Sequence, residues 1–130
     1  MTQHVINIDD VWKVILIIDV DYDRYDLIES VLTDLLASTN IIEEIYDNIG
    51  YRYDSGFTYS NFYYRTSVVG INKHTSKEEL INTIVHEIDH VQVDICNYYN
   101  INLSSEEAAN IIGCLAESFY KYCFKLFCTY

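Results

Sequence analysis

The segment from Ser76 to Asn97, SKEELINTIVHEIDHVQVDICN, admits little other than a long helix packed along one side. Ser76 followed three residues later by Glu79 has the form of a capping box, which satisfies backbone N–H groups that the first helical turn leaves open. Leu80, Ile84, Ile88, Val91 and Ile95 then recur at three- and four-residue intervals, forming one apolar stripe. The spacing predicts a helix from about Lys77 to Asn97 whose stripe faces the core. A second box, Ser104 with Glu107, predicts a final helix running to about Phe127.

Upstream, VWKVILIIDVD is rich in β-branched residues and predicts a first strand over about Trp12 to Val20. The period then changes: Tyr25, Ile28, Leu32, Leu35 and Leu36 recur at helical spacing, giving a helix of about Asp23 to Ala37. NIIEEIYDNIG predicts a short helix closed by Gly50 in a left-handed conformation. From Tyr51 to Ile71, aromatic and β-branched residues broken by Gly and Asn predict one or two hairpins, with DSG and SN as turns. The chain has no proline, and neither a repeat nor a low-complexity segment divides it. Residues 1–130 are therefore expected to form one α+β domain, with a small antiparallel or mixed sheet and the Ser76 helix packed on the C-terminal helix.

Charge narrows the partners. Twenty acidic residues against eight basic ones give a net charge of −12, which argues against nucleic acid and against anionic membranes or acidic peptides. The longest apolar run, VILII, is far short of the roughly 18 to 20 residues a membrane span needs. MTQHVINIDD carries no basic leader ahead of an apolar run, so a cytoplasmic protein is expected. Cys96, Cys114, Cys123 and Cys128 lack CxxC spacing and read as reduced, mostly buried thiols.

The same helix carries the chemistry. His86, Glu87 and His90 form an HExxH sequence, and the two histidines lie on the face opposite the apolar stripe, together with Thr83, Asp94 and Asn97. Residues i and i+4 lie about 6 Å apart along a helix axis, so two imidazoles can converge on one metal ion. Glu87 then stands about 100° round the helix, beside the ion, where it can act as a general base. A catalytic zinc takes three protein ligands and keeps an open position. Asp94 lies about 12 Å along the axis from His86, too far for the same ion on a straight helix. The final helix offers Glu106 and Glu107. Glu107 suits the capping box with Ser104, which leaves Glu106 as the expected third ligand and Glu107 as the alternative. Glu106 shares a helix face with Ala109, Asn110, Gly113 and Glu117, and the small residues there would let this helix close over the histidines.

TSKEELINTIVHEIDH followed by YYNINLSSEEAANIIGCL resembles the small zinc metallopeptidases encoded by phages and prophages, particularly of gut bacteria. GFTYSN is similar to another part of their pattern, and the resemblance covers about Gly56 to Leu115. It implies a minimal zincin of gluzincin type: one Zn²⁺ held by His86, His90 and Glu106, Glu87 as catalytic base, and a peptide or protein substrate in the host cytoplasm or a phage particle. Asn110 departs from the pattern, standing where relatives commonly carry an aromatic residue. Two imidazoles and a carboxylate would also accept Co²⁺, Ni²⁺ or Mn²⁺. A tyrosine or His74 would have to stabilise the anion formed in hydrolysis, although His74 reads better as a loop residue. The hairpin before the histidine helix offers an edge strand for an extended peptide. Tyr59, Phe62 and Tyr63 read as core or hairpin aromatics. The alternatives are a binding protein, virion-associated for example, that keeps the metal site without hydrolysing anything, and a structural domain without metal.

Overall fold

The structure, a computed structural model, describes residues 1–20, 22–51 and 53–128. Strands β1 (Thr2–Ile8) and β2 (Trp12–Val20) form an antiparallel hairpin in which Ile8 pairs with Trp12. The Val11 N–H donates to the Ile8 carbonyl, and Asp9 and Asp10 take φ values of 47° and 57°. Two positive φ angles in succession match the twist of the flanking strands. β2 agrees with the sequence expectation, whereas β1 is an addition to it. Only Ile6 and Ile8 mark the buried face of β1, and its turn is Asp-Asp where Asn-Gly is the strong signal.

After a 3₁₀ turn at Tyr22–Arg24 come α1 (Tyr25–Asp34) and α2 (Thr39–Tyr51). Gly50 lies within α2, and no glycine among the described residues has a positive φ, so it does not close the helix as expected. Strands β3 (Gly56–Asn61) and β4 (Thr66–Asn72) make a single hairpin. Its turn spans Phe62 to Arg65 rather than Ser60-Asn61, because the Asn61 side chain accepts the Tyr64 N–H at 2.8 Å. The last elements are α3 (Lys77–Tyr99) and α4 (Glu106–Phe127).

The sheet order is β1-β2-β4-β3. β2 and β4 pair in parallel at the centre, while both outer pairs are antiparallel. A parallel pair needs a crossover, here supplied by α1, α2 and β3. Alternation along β2 and β4 then sends Trp12, Val14, Leu16, Ile18, Val69 and Ile71 into a core shared with α3 and α4. Ile17 and Val68, with Phe57 of β3, enter a second core with α1 and α2. At Asp19 (φ 58°) the β2–β4 register slips, and this bulge turns Val20 towards the second core. Gly70 is required there, since a Cβ would lie 2.0 Å from the Phe57 ring. The result is an α+β domain of three layers, helix pair on sheet on helix pair, with α3 against α4.

A hydrogen-bonded chain ties the first sheet face to α3. Trp12 Nε1 donates to Ser67 Oγ (3.0 Å), Ser67 and Ser60 hydroxyls meet at 2.7 Å, and Ser60 Oγ donates to Asp94 Oδ2 (2.6 Å). Because the single hydroxyl proton of Ser60 goes to Asp94, Ser67 must donate to Ser60. Every link has one donor and one acceptor. Ser67→Ala strands the indole N–H in the core, and we expect a loss of about 1–3 kcal/mol, read as a lower urea midpoint at unchanged slope. A change within error would mean that the chain contributes nothing to stability.

Candidate metal and hydrolytic site

Ser76 caps α3 as expected, its hydroxyl accepting the Glu79 N–H at 3.1 Å. The helix runs unbroken until Asn100 adopts the left-handed conformation at φ 56°. His86 and His90 therefore stand one turn apart on an exposed face. Their Nε2 atoms are 3.1 Å apart and the rings are steeply inclined at 79°. Two nitrogens each about 2.0–2.1 Å from a tetrahedral zinc lie about 3.3 Å apart, so the spacing suits a shared ion. As the rings stand, the same spacing is a hydrogen bond between one protonated and one bare nitrogen.

Glu87 is turned the other way, into the seam between α3 and the edge strand β3, and is only 4% exposed. Thr58 Oγ1 of β3 donates to Glu87 Oε2 at 2.5 Å. Strand alternation puts Gly56, Thr58 and Ser60 on the face towards α3, where they meet Thr83, Glu87 and Asp94. Gly56 sets how closely strand and helix approach: a Cβ there would lie 2.5 Å from the Gly70 carbonyl and 3.2 Å from Glu87 Cγ. Asp94 is thus held by Ser60, away from the histidines.

A cleft of about 210 Å³ opens here, lined by Asp54, Gly56, Asn82, Thr83, His86 and Glu87 among others. The side-chain hydroxyl and then the backbone N–H of Thr75 hold the Asp54 carboxyl below the usual carboxylate range. His74 is buried behind the cleft, with Nδ1 against the Asn72 carbonyl at 2.6 Å and Nε2 against Thr83 Oγ1 at 2.8 Å. Both ring nitrogens are committed to the scaffold, which fits a structural role better than anion stabilisation. Tyr59 is half-buried against the second core, its hydroxyl donating to the Leu35 carbonyl. Phe62 and Tyr63, expected as core or hairpin aromatics, belong to the hairpin and not the core: both are exposed in the β3–β4 turn, Tyr63 at 85%.

α4 differs most from expectation. Its N-cap is Ser105, which accepts the Ala108 N–H at 3.1 Å, while the Ser104 N–H is held by the Asn102 side chain. The one-residue shift removes the capping box and leaves Glu107 without that duty. It lines a separate pocket with Tyr99, Asn110 and Cys114. The buried stripe of α4 is Ala108, Leu115, Phe119 and Cys123, not the face carrying Glu106, Ala109 and Gly113. Burying Leu and Phe side chains is worth about 1.5–3 kcal/mol each, which small residues cannot match. A Cβ on Gly113 would meet nothing within 4 Å, so this glycine mediates no close approach. Glu106 is exposed in the first turn, and α4 does not cover His86 or His90. Among the described residues, no three His, Cys, Asp or Glu side chains are gathered to hold a metal ion. The structure thus brings His86 to His90, turns Glu87 into the cleft at β3 that His86 also lines, and leaves Glu106 apart from the histidine pair.

Sequence reasoning missed Thr58, Gly56, Asp54 and Asn82. The alternating small residues Gly56, Thr58 and Ser60 in GFTYSN were the available signal for the first two. All four cysteines are free. Cys96 and Cys123 are buried, Cys114 and Cys128 exposed. Burial pushes the Cys123 thiol up to about 12 and raises Cys96 as well. No helix among the described residues is long and apolar enough to cross a membrane. No protein-family model, curated protein or solved structure matches the chain.

Proposed function

We propose that the chain is a zinc-dependent metallopeptidase of the minimal zincin kind, with His86 and His90 holding one ion and Glu87 acting as general base. The observation that carries the reading is the pairing of two exposed imidazoles at ligating separation with a buried carboxylate one residue on. Glu106 is the third ligand of this reading and Glu107 its competitor; both stand in the exposed first turn of α4, apart from the histidine pair as the structure holds it. When bound, zinc supplies Lewis acidity, bringing the pKa of water towards neutrality and polarising a carbonyl.

The protein's own groups do the rest. Among the described residues no strand pairs with the outer edge of β3, which can hold an extended peptide by main-chain hydrogen bonds beyond the Gly56 carbonyl that Asn48 occupies. Thr58 occupies Glu87 Oε2, which fixes the carboxylate and leaves Oε1 to take a proton from water and return it to the leaving amine. The low exposure of Glu87 limits competing hydration. Free thiols at all four cysteines support a cytoplasmic setting.

Metal content tests the first step. Purified protein is expected to carry near-stoichiometric zinc by elemental analysis and to melt at a lower temperature once a chelator strips it. His86→Ala should abolish retention. Glu106→Gln should weaken it more than Glu107→Gln, and the reverse order would move the third ligand to Glu107. Wild-type protein that binds no divalent metal would end the proposal.

A further inference from the structure

We propose that the groove between α3 and α4 beside His86 receives a lysine or arginine side chain of the bound peptide, so that the site selects cationic substrates. This rests on the reading of β3 as a peptide-holding edge. The groove encloses about 400 Å³ and has apolar walls from Val85, Ile88, Ile112 and Ala116, with Asp89 beside them. Asn82 and His86 line both this groove and the cleft at Gly56 and Glu87. A chain lying along β3 thus reaches the groove by crossing a single ridge.

Ile88 forms the buried floor, and two of the walls face water without cover: Val85 is 59% exposed and Ile112 40%. Asp89 is exposed as well and makes no ion pair among the described residues. Apolar walls beside an unpaired carboxylate suit a side chain with a methylene stem and a cationic head. A purely apolar side chain would cover the walls but shield Asp89 from water without a counter-charge, and an acidic one would be repelled. The surroundings act in the same sense. From Glu78 to Tyr120, which spans nearly all of α3 and two thirds of α4, the sequence has eight carboxylates and not one lysine or arginine. Such an acidic surplus, with lysines only at its borders (Lys77 and Lys121), raises the local concentration of cationic partners.

The test uses fluorescently labelled pentapeptides Ala-Ala-X-Ala-Ala with X as lysine, norleucine or glutamate. Binding to the full chain is read by anisotropy, and cleavage is followed in parallel by mass spectrometry. The lysine peptide is expected to bind about fivefold tighter than the norleucine peptide, the worth of one exposed ion pair. Glutamate should bind weakest. Asp89→Asn should erase most of the lysine advantage while leaving norleucine binding unchanged, and 0.5 M salt should do the same. Equal lysine and norleucine affinities, an Asp89→Asn variant with its preference intact, or no binding of any peptide would each overturn the proposal. Selective binding without cleavage would support the groove and count against the peptidase. Cleavage without preference would do the opposite.

Discussion

Glu87→Gln is expected to lower peptide hydrolysis by about 10²–10⁴-fold while zinc content and melting temperature stay close to wild type. The substitution preserves volume at a position only 4% exposed, so no cavity forms. A glutamine oxygen can still accept the Thr58 hydroxyl that now reaches Oε2, keeping β3 and α3 together. What it cannot do is take a proton from water. Undiminished hydrolysis would remove Glu87 from the mechanism. If instead a biological activity of the protein survives unchanged with zinc still bound, the binding-protein alternative gains and hydrolysis becomes irrelevant to function.

Phe119→Ala is expected to cost about 3–5 kcal/mol, measured as a loss of unfolding free energy in denaturant. Phe119 is fully buried on α4, in the core formed with α3 and the sheet. Removing the ring deletes its burial and leaves a void between elements that cannot fully collapse. A domain holds only about 5–15 kcal/mol in total, so the variant should be marginal at room temperature. The ring also helps to set the rotation of α4 about its own axis, and with it the direction in which Glu106 and Glu107 project. A loss below about 1 kcal/mol would show that α4 is not seated as described.

The elements legible in the sequence were those whose signals are local. β2 is a run of β-branched residues flanked by charge, and α3 declares its start through Ser76 and its inner face through Leu80 to Ile95. The HExxH pair was legible for the same reason, since helical geometry alone brings His86 to His90. The rest depended on contacts distant in sequence. Thr58 meets Glu87 across 29 residues, and no period encodes that meeting. α4 shows how small an error suffices. Two adjacent serines compete for the cap, Ser105 wins over Ser104, and the duty that set Glu107 aside disappears. Gly113 suggested a tight interface, yet the larger gain from burying Leu115 and Phe119 turned another face inward.

The relay from Trp12 to Asp94 has a practical use. Trp12 is the sole indole in the molecule, and its N–H begins the run of donors that ends on the histidine helix. Emission from this fluorophore should therefore act as a built-in gauge of whether that rod stays docked, without any added dye. A red shift on metal removal would show loosening at the far end of the relay, and a constant spectrum would show that loading leaves the scaffold untouched.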